Sequence, residues 1–108
     1  MMSKKDKEEH LYILDEIERN PSISQRNLAK KANISLGAVN YALNKLIDKG
    51  LVKTKNFINS DNKFGYLYVL TPKGISEKAK LARNFLTIKY KEYQKINKIL
   101  GDQNKHDT

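Results

Sequence analysis

The chain has 108 residues, 39% hydrophobic and 31% charged, with five glycines and two prolines. That is the balance of one globular, helix-leaning domain, long enough to bury roughly two-thirds of its unfolded surface. It has no cysteine and only two histidines, which excludes disulfides, thiolate metal sites and cysteine nucleophiles and leaves little for a histidine-rich metal site. Lys and Arg number 21 against 12 Asp and Glu, a net charge of +9. The charge is uneven: residues 1–20 carry −2, 21–50 carry +4, 51–70 carry +2 and 71–108 carry +5. A basic field favours polyanions, nucleic acid ahead of anionic membrane, although a lysine-rich surface can also serve solubility alone.

Met1 to Glu9 is charged, without the apolar stretch or small-residue cleavage site of a secretory signal, and no run approaches the roughly 18 apolar residues that span a membrane. Secretion is therefore not expected, and the cytoplasm is the expected location. From Asp6 to Arg19, Leu11, Ile13, Leu14 and Ile17 recur at helical spacing, and Asn20-Pro21 stops that helix. Ser24 caps a short second helix through Ala32, with Leu28, Ala29 and Ala32 inward and Asn33 suited to the left-handed residue that ends it. Ser35 caps a third helix whose inward stripe is Val39, Leu43, Leu46 and Ile47, and Asp48-Lys49-Gly50 is its stop. The period then changes to two: Leu51 to Phe57 and Phe64 to Leu70 predict a hairpin with the polar tip 59–63. Thr71-Pro72 opens a last helix to about Leu100, roughly 40 Å long, and 101–108 is expected as a frayed polar tail.

Three helices, a hairpin and a long helix predict a mainly α (α+β) fold, a winged helix-turn-helix over 6–71 with a long C-terminal dimerisation helix over 72–100 and flexible tails at 1–5 and 101–108. The inward stripe of the third helix leaves Ser35, Leu36, Gly37, Asn40, Tyr41, Asn44 and Lys45 facing out. A helix fits the DNA major groove, Asn matches an adenine edge in two-point fashion, and Tyr and Lys reach bases or phosphates. A merely solvated face is the plainer account. Against it stand Leu36 and Tyr41, apolar groups with no evident partner, and the single acid, Asp48, within 21–50. Ser24, Gln25, Arg26 and Lys30 are candidates for phosphate contacts, and the wing residues Asn59, Asn62 and Lys63 for contacts along the backbone or in the minor groove.

Ser24-Gln25-Arg26-Asn27-Leu28-Ala29-Lys30-Lys31-Ala32-Asn33-Ile34-Ser35, then Val39, then Leu46 to Lys53, resembles the helix-turn-helix of the MarR family of bacterial transcriptional regulators. Leu70-Thr71-Pro72-Lys73-Gly74 is similar to that family's Leu-Thr-x-x-Gly motif. Lys55-Asn56-Phe57, the tip 59–63, Gly65-Tyr66 and a lysine-rich last helix with Tyr90 and Tyr93 look like a short MarR-type subgroup associated with exopolysaccharide gene clusters. The resemblance covers residues about 10 to 100 and implies a sequence-specific DNA-binding regulator of transcription. Two departures stand out. Longer members have extra terminal helices that build a ligand pocket, and the one terminal helix here puts a small-molecule effector in doubt. Their wing commonly has arginine after the aspartate, whereas Asn62 and Lys63 follow Asp61, which favours a plain phosphate contact.

Ile75, Ala79, Ala82, Leu86, Tyr93, Ile96 and Leu100 form a coiled-coil seam interrupted by Lys89. With no second helix of comparable length to cover it, a homodimer is expected, its helices parallel or antiparallel, on an inverted-repeat operator. The alternative is a winged-helix module for protein or RNA contact without specific DNA binding. An enzyme is not expected: Asp15, Glu16 and Glu18 have the pattern of a solvated helix face, and no phosphate loop, nucleophile elbow or metal spacing appears. No cofactor or metal is expected. Membrane-surface binding by the last helix is weakly supported, because its apolar positions are mostly alanine and tyrosine.

Overall fold

Ser3 accepts the Asp6 N–H at 3.1 Å and donates its own N–H to the Asp6 carboxylate at 3.3 Å, a reciprocal cap that starts the first helix two residues ahead of the expected Asp6. A computed structural model describes residues 3–58 and 64–106. The first helix, α1 (Lys4–Arg19), ends at Asn20, where Pro21 follows. The second, α2 (Gln25–Ala32), is capped by Ser24 and ends on Asn33 at φ 56°, ψ 46°. There Ile34 N–H bonds to Ala29 O and Asn33 N–H to Lys30 O, the paired closure that satisfies the last carbonyls of a helix. The third, α3 (Leu36–Asp48), is capped by Ser35 and closes the same way, Leu51 N–H to Leu46 O and Gly50 N–H to Ile47 O. Gly50 takes φ 74°, which side chains disfavour.

Strands β1 (Val52–Ile58) and β2 (Phe64–Leu70) pair antiparallel from Val52↔Leu70 to Ile58↔Phe64. The wing candidates Asn59, Asn62 and Lys63 lie outside the described residues. A backbone bond from Tyr68 N–H to Pro21 O at 2.9 Å attaches the hairpin to the turn between α1 and α2, and Thr71 N–H to Leu51 O at 3.0 Å closes its base. Thr71 then caps the last helix, α4 (Pro72–His106), by accepting the Gly74 N–H at 3.0 Å while its hydroxyl donates to Gly50 O at 2.6 Å. A Cβ on Gly74 would fall on the Leu51 carbonyl, so the fifth residue of Leu-Thr-Pro-Lys-Gly must be glycine for helix and strand to meet.

Ile13, Leu14 and Ile17 of α1, Leu28 of α2, Val39, Ala42, Leu43 and Leu46 of α3, and Leu51, Val52 and Tyr68 of the hairpin form one core. Each fully buried aliphatic side chain contributes about 1.5–3 kcal/mol by leaving water. The inward stripes expected on the three helices are largely the ones buried, with Leu11, Ala29 and Ile47 at the margin, while Ala32, expected inward, lies only half-buried outside the core. His10 is buried as well, between α1 and the C-terminal half of α3.

Two expectations about the last helix need correction. Its helical turns run on past the expected end at about Leu100 to His106. It also folds back in part on its own domain. Leu81 and Phe85 are buried, and Lys78 bonds Asp15 at 2.9 Å and Glu18 at 3.5 Å while Lys4 reaches Glu92 at 3.4 Å, so α1 lies antiparallel to the first half of α4. At 35 residues α4 is about 52 Å long against about 24 Å for α1, so it continues well past the Lys4–Glu92 pair at the start of α1, and the molecule extends over 69 Å. The acids of α1, expected as a solvated face, thus hold neighbouring helices: Asp15 and Glu18 bind α4, and Glu16 binds Lys31 of α2 at 3.3 Å. Among the described residues no helix is long and apolar enough to cross a membrane.

Candidate nucleic-acid interface

Burying Val39, Leu43 and Leu46 fixes the rotation of α3, and the residues between them must face out. Ser35, Leu36, Gly37, Asn40, Tyr41 and Asn44 are exposed and Lys45 is half-exposed. Leu36 is 47% and Tyr41 62% exposed, apolar surface left open to solvent among the described residues. Lys45 lies over Tyr41, its ammonium 4.9 Å from the ring centre, and hydrogen bonding to Tyr41 raises its pKa above the ordinary lysine value. The ammonium is therefore charged at neutral pH and held over the outer face of α3.

The two asparagines are tied to each other and to the domain beneath. Asn44 donates to Asn40 at 3.2 Å, Asn40 donates to Gln25 at 3.3 Å, and Gln25 donates to the Tyr68 hydroxyl at 3.1 Å. Within the protein the Gln25 amide is therefore engaged at both ends, by one N–H and by its oxygen. Ser24 likewise uses its hydroxyl to accept the Asn27 N–H. Arg26 and Lys30 are exposed on α2, and Lys53 and Lys55 add exposed charge along β1. From residue 21 to 58 there are seven bases and one acid.

Tyr68 and His10 had no role in the sequence reading. Tyr68 is 43 residues from Gln25, and no local spacing reports such a contact. His10 sits among charged neighbours in sequence, yet burial, reinforced by the charge of Lys49, lowers its pKa below 6.5. Among the described residues no three His, Cys, Asp or Glu side chains come together as a metal site.

The seam of α4 is exposed throughout. Ile75, Ala79, Ala82, Leu86, Tyr93, Ile96 and Leu100 are all exposed, Leu86 at 70%, and Ala82 borders the groove between α4 and Leu11, Tyr12 and Asp15 of α1. One helix thus carries two apolar faces, Leu81 and Phe85 turned inward and the heptad seam turned out.

Residues 10–53 match the family model for a winged helix-turn-helix DNA-binding domain. The fold is a winged helix-turn-helix. Solved structures that resemble it include a protein with unknown function from Listeria innocua, 28% identical over 69% of this chain and 50% of that one, TM-score 0.54. Others are the multiple antibiotic-resistance repressor MarR from Listeria monocytogenes (24% identity, 83% of this chain, 57% of that one, TM-score 0.55) and Streptococcus pneumoniae FabT in complex with DNA (22% identity, 86% and 61%, TM-score 0.59). The chain spans about half to six-tenths of the length of these structures. No curated protein matches it in sequence.

Proposed function

We propose that the protein is a transcription regulator of the MarR type that binds double-stranded DNA as a homodimer on an inverted repeat. The observation that carries this reading is the outer face of α3. On a winged-helix domain, an exposed Leu36, a Tyr41–Lys45 pair and two exposed asparagines with hydrogen-bonding capacity to spare form a surface suited to an outside ligand. Ser35, Leu36, Gly37, Asn40, Tyr41, Asn44 and Lys45 enter the major groove in this reading, with base edges read near the start of the helix. Arg26 and Lys30 hold phosphates and set the register, and Asn59, Asn62 and Lys63 follow the backbone or the minor groove. The FabT structure with DNA supports duplex DNA as the ligand.

The exposed seam of α4 supports the homodimer: burying Leu86, Tyr93, Ile96 and Leu100 against the same residues of a second copy makes a two-fold assembly with paired recognition helices. The resemblance of Lys55-Asn56-Phe57, Gly65-Tyr66 and the lysine-rich last helix supports the short subgroup associated with exopolysaccharide gene clusters. In this reading the protein acts in the cytoplasm and needs no cofactor.

The test is fluorescence anisotropy at roughly physiological salt with two duplexes, one from immediately upstream of the protein's own gene and one scrambled. The expected result is a preference of roughly a thousandfold for the upstream duplex over a nonspecific affinity of about 10⁻⁴–10⁻⁶ M. Failure to bind any duplex, with Asn40→Ala and Lys45→Glu leaving partner binding intact, assigns the domain to protein or RNA contact instead.

A further inference from the structure

The polar chain beneath α3 has a direction. Asn44 donates to Asn40, Asn40 to Gln25 and Gln25 to Tyr68, so at every amide the nitrogen gives and the oxygen takes. Turning any one amide over alone would set donor against donor or acceptor against acceptor, so the three amides keep a common direction, here with the Tyr68 hydroxyl as the acceptor at its end. The chain is anchored at one end and open at the other. Tyr68 is buried on β2, its backbone N–H held by Pro21 O at 2.9 Å, and Gln25 is half-buried at the first turn of α2. Asn40 and Asn44 stand exposed one helical turn apart.

Counting hydrogen-bonding capacity shows what the open end offers. An asparagine amide has two N–H donors and one oxygen acceptor with two lone pairs. Asn44 gives one N–H to Asn40, and its second N–H and its oxygen remain for a ligand. A donor and an acceptor side by side on one planar group match the N7 and N6 amino group of adenine in the major groove. An unrestrained surface amide would present either edge and would lose rotamer freedom on binding.

We infer that Tyr68 and Gln25 are positioning residues for sequence reading, holding the Asn40–Asn44 pair so that the Asn44 amide faces an adenine edge. This rests on the DNA-binding reading above. Tyr68 is too buried to touch DNA and acts through Gln25 alone. The inference therefore separates discrimination from affinity. Phosphate contacts stay with Arg26 and Lys30, and loss of the chain changes which duplex is preferred while leaving the hold on any duplex as it was.

The experiment starts with selection of a preferred duplex from a randomised pool by the full chain. Anisotropy then gives the ratio of affinities for that duplex and for one with each A·T pair changed in turn to G·C. Asn44→Ala is expected to lose roughly 10- to 100-fold of the discrimination at one A·T pair. Tyr68→Phe, which removes only a hydroxyl, loses about fivefold at the same pair. Its melting temperature, its binding to a scrambled duplex and the salt dependence of that binding stay at wild-type values. Gln25→Met behaves like Tyr68→Phe. Gln25→Glu keeps an acceptor for Asn40 and lets the Tyr68 hydroxyl donate, so it restores the ratio while its added charge weakens binding to all duplexes alike. A Tyr68→Phe ratio within twofold of wild type, or an equal loss on preferred and scrambled duplexes, overturns the inference and leaves DNA binding standing. A wild-type chain that enriches no duplex overturns both.

Discussion

The two halves of α4 put the same kind of residue to different uses. Up to Phe85 the helix is part of the domain: Leu81 and Phe85 are buried, Lys78 is bound by two acids of α1, and Gly74 is pressed on Leu51. Beyond it, Leu86, Tyr90, Tyr93, Ile96, Ile99 and Leu100 are all exposed. The lesson is that apolar periodicity reports a face to be covered without reporting by what. In the first half the cover is α1; in the second the described residues supply none, and the homodimer proposed above would.

One substitution made in both regions sharpens the contrast. Leu14→Ala, in the shared core of α1, is expected to cost about 2–5 kcal/mol in urea unfolding, through lost burial and the cavity left behind. Leu86→Ala is expected to cost the domain less than about 0.5 kcal/mol and to weaken self-association by sedimentation. A large loss of domain stability from Leu86→Ala would mean that the far half of α4 belongs to the fold after all.

Gly74→Ala probes the point where helix and sheet meet. In an open helix the change would gain up to about 1 kcal/mol. Here the added methyl falls on the Leu51 carbonyl, and the expected result is a loss of about 1–3 kcal/mol by the same unfolding measurement.

The smallest effect concerns His10. Burial holds its pKa below 6.5, and Lys49 and Lys45 add to the depression while Asp6 opposes it. As pH falls below about 6.5 the unfolded chain takes up the proton before the folded one, so stability falls with pH by no more than about 1.4 kcal/mol per unit. The melting temperature should therefore decline from about pH 7 to about pH 5, and His10→Leu should flatten that decline. Asp15, lowered first by its bond to Lys78, adds a further loss only as pH drops below its usual value of 3.8.

The order and nearly all bounds of the elements were legible in the sequence because their ends are chemically marked. Asn33 and Gly50 occupy left-handed positions, Ser24, Ser35 and Thr71 accept backbone N–H groups, and the change from period 3.6 to period 2 falls at Leu51. The outer face of α3 was legible for the same reason, since a buried stripe defines its opposite. What was not legible depends on contacts between distant residues. Nothing local distinguishes Leu81 and Phe85 from the seam residues beside them on α4. The Gln25–Tyr68 bond joins residues 43 apart, and no local pattern in the sequence reports it.

The central claim is that α3 carries the DNA-reading surface, and the side-chain amide resonances of Asn40 and Asn44 report on it directly. In a titration of isotope-labelled protein with its selected duplex, followed by two-dimensional NMR, those resonances and the backbone signals of residues 35–45 are predicted to move most. A titration in which they stay fixed while signals elsewhere shift would contradict the account.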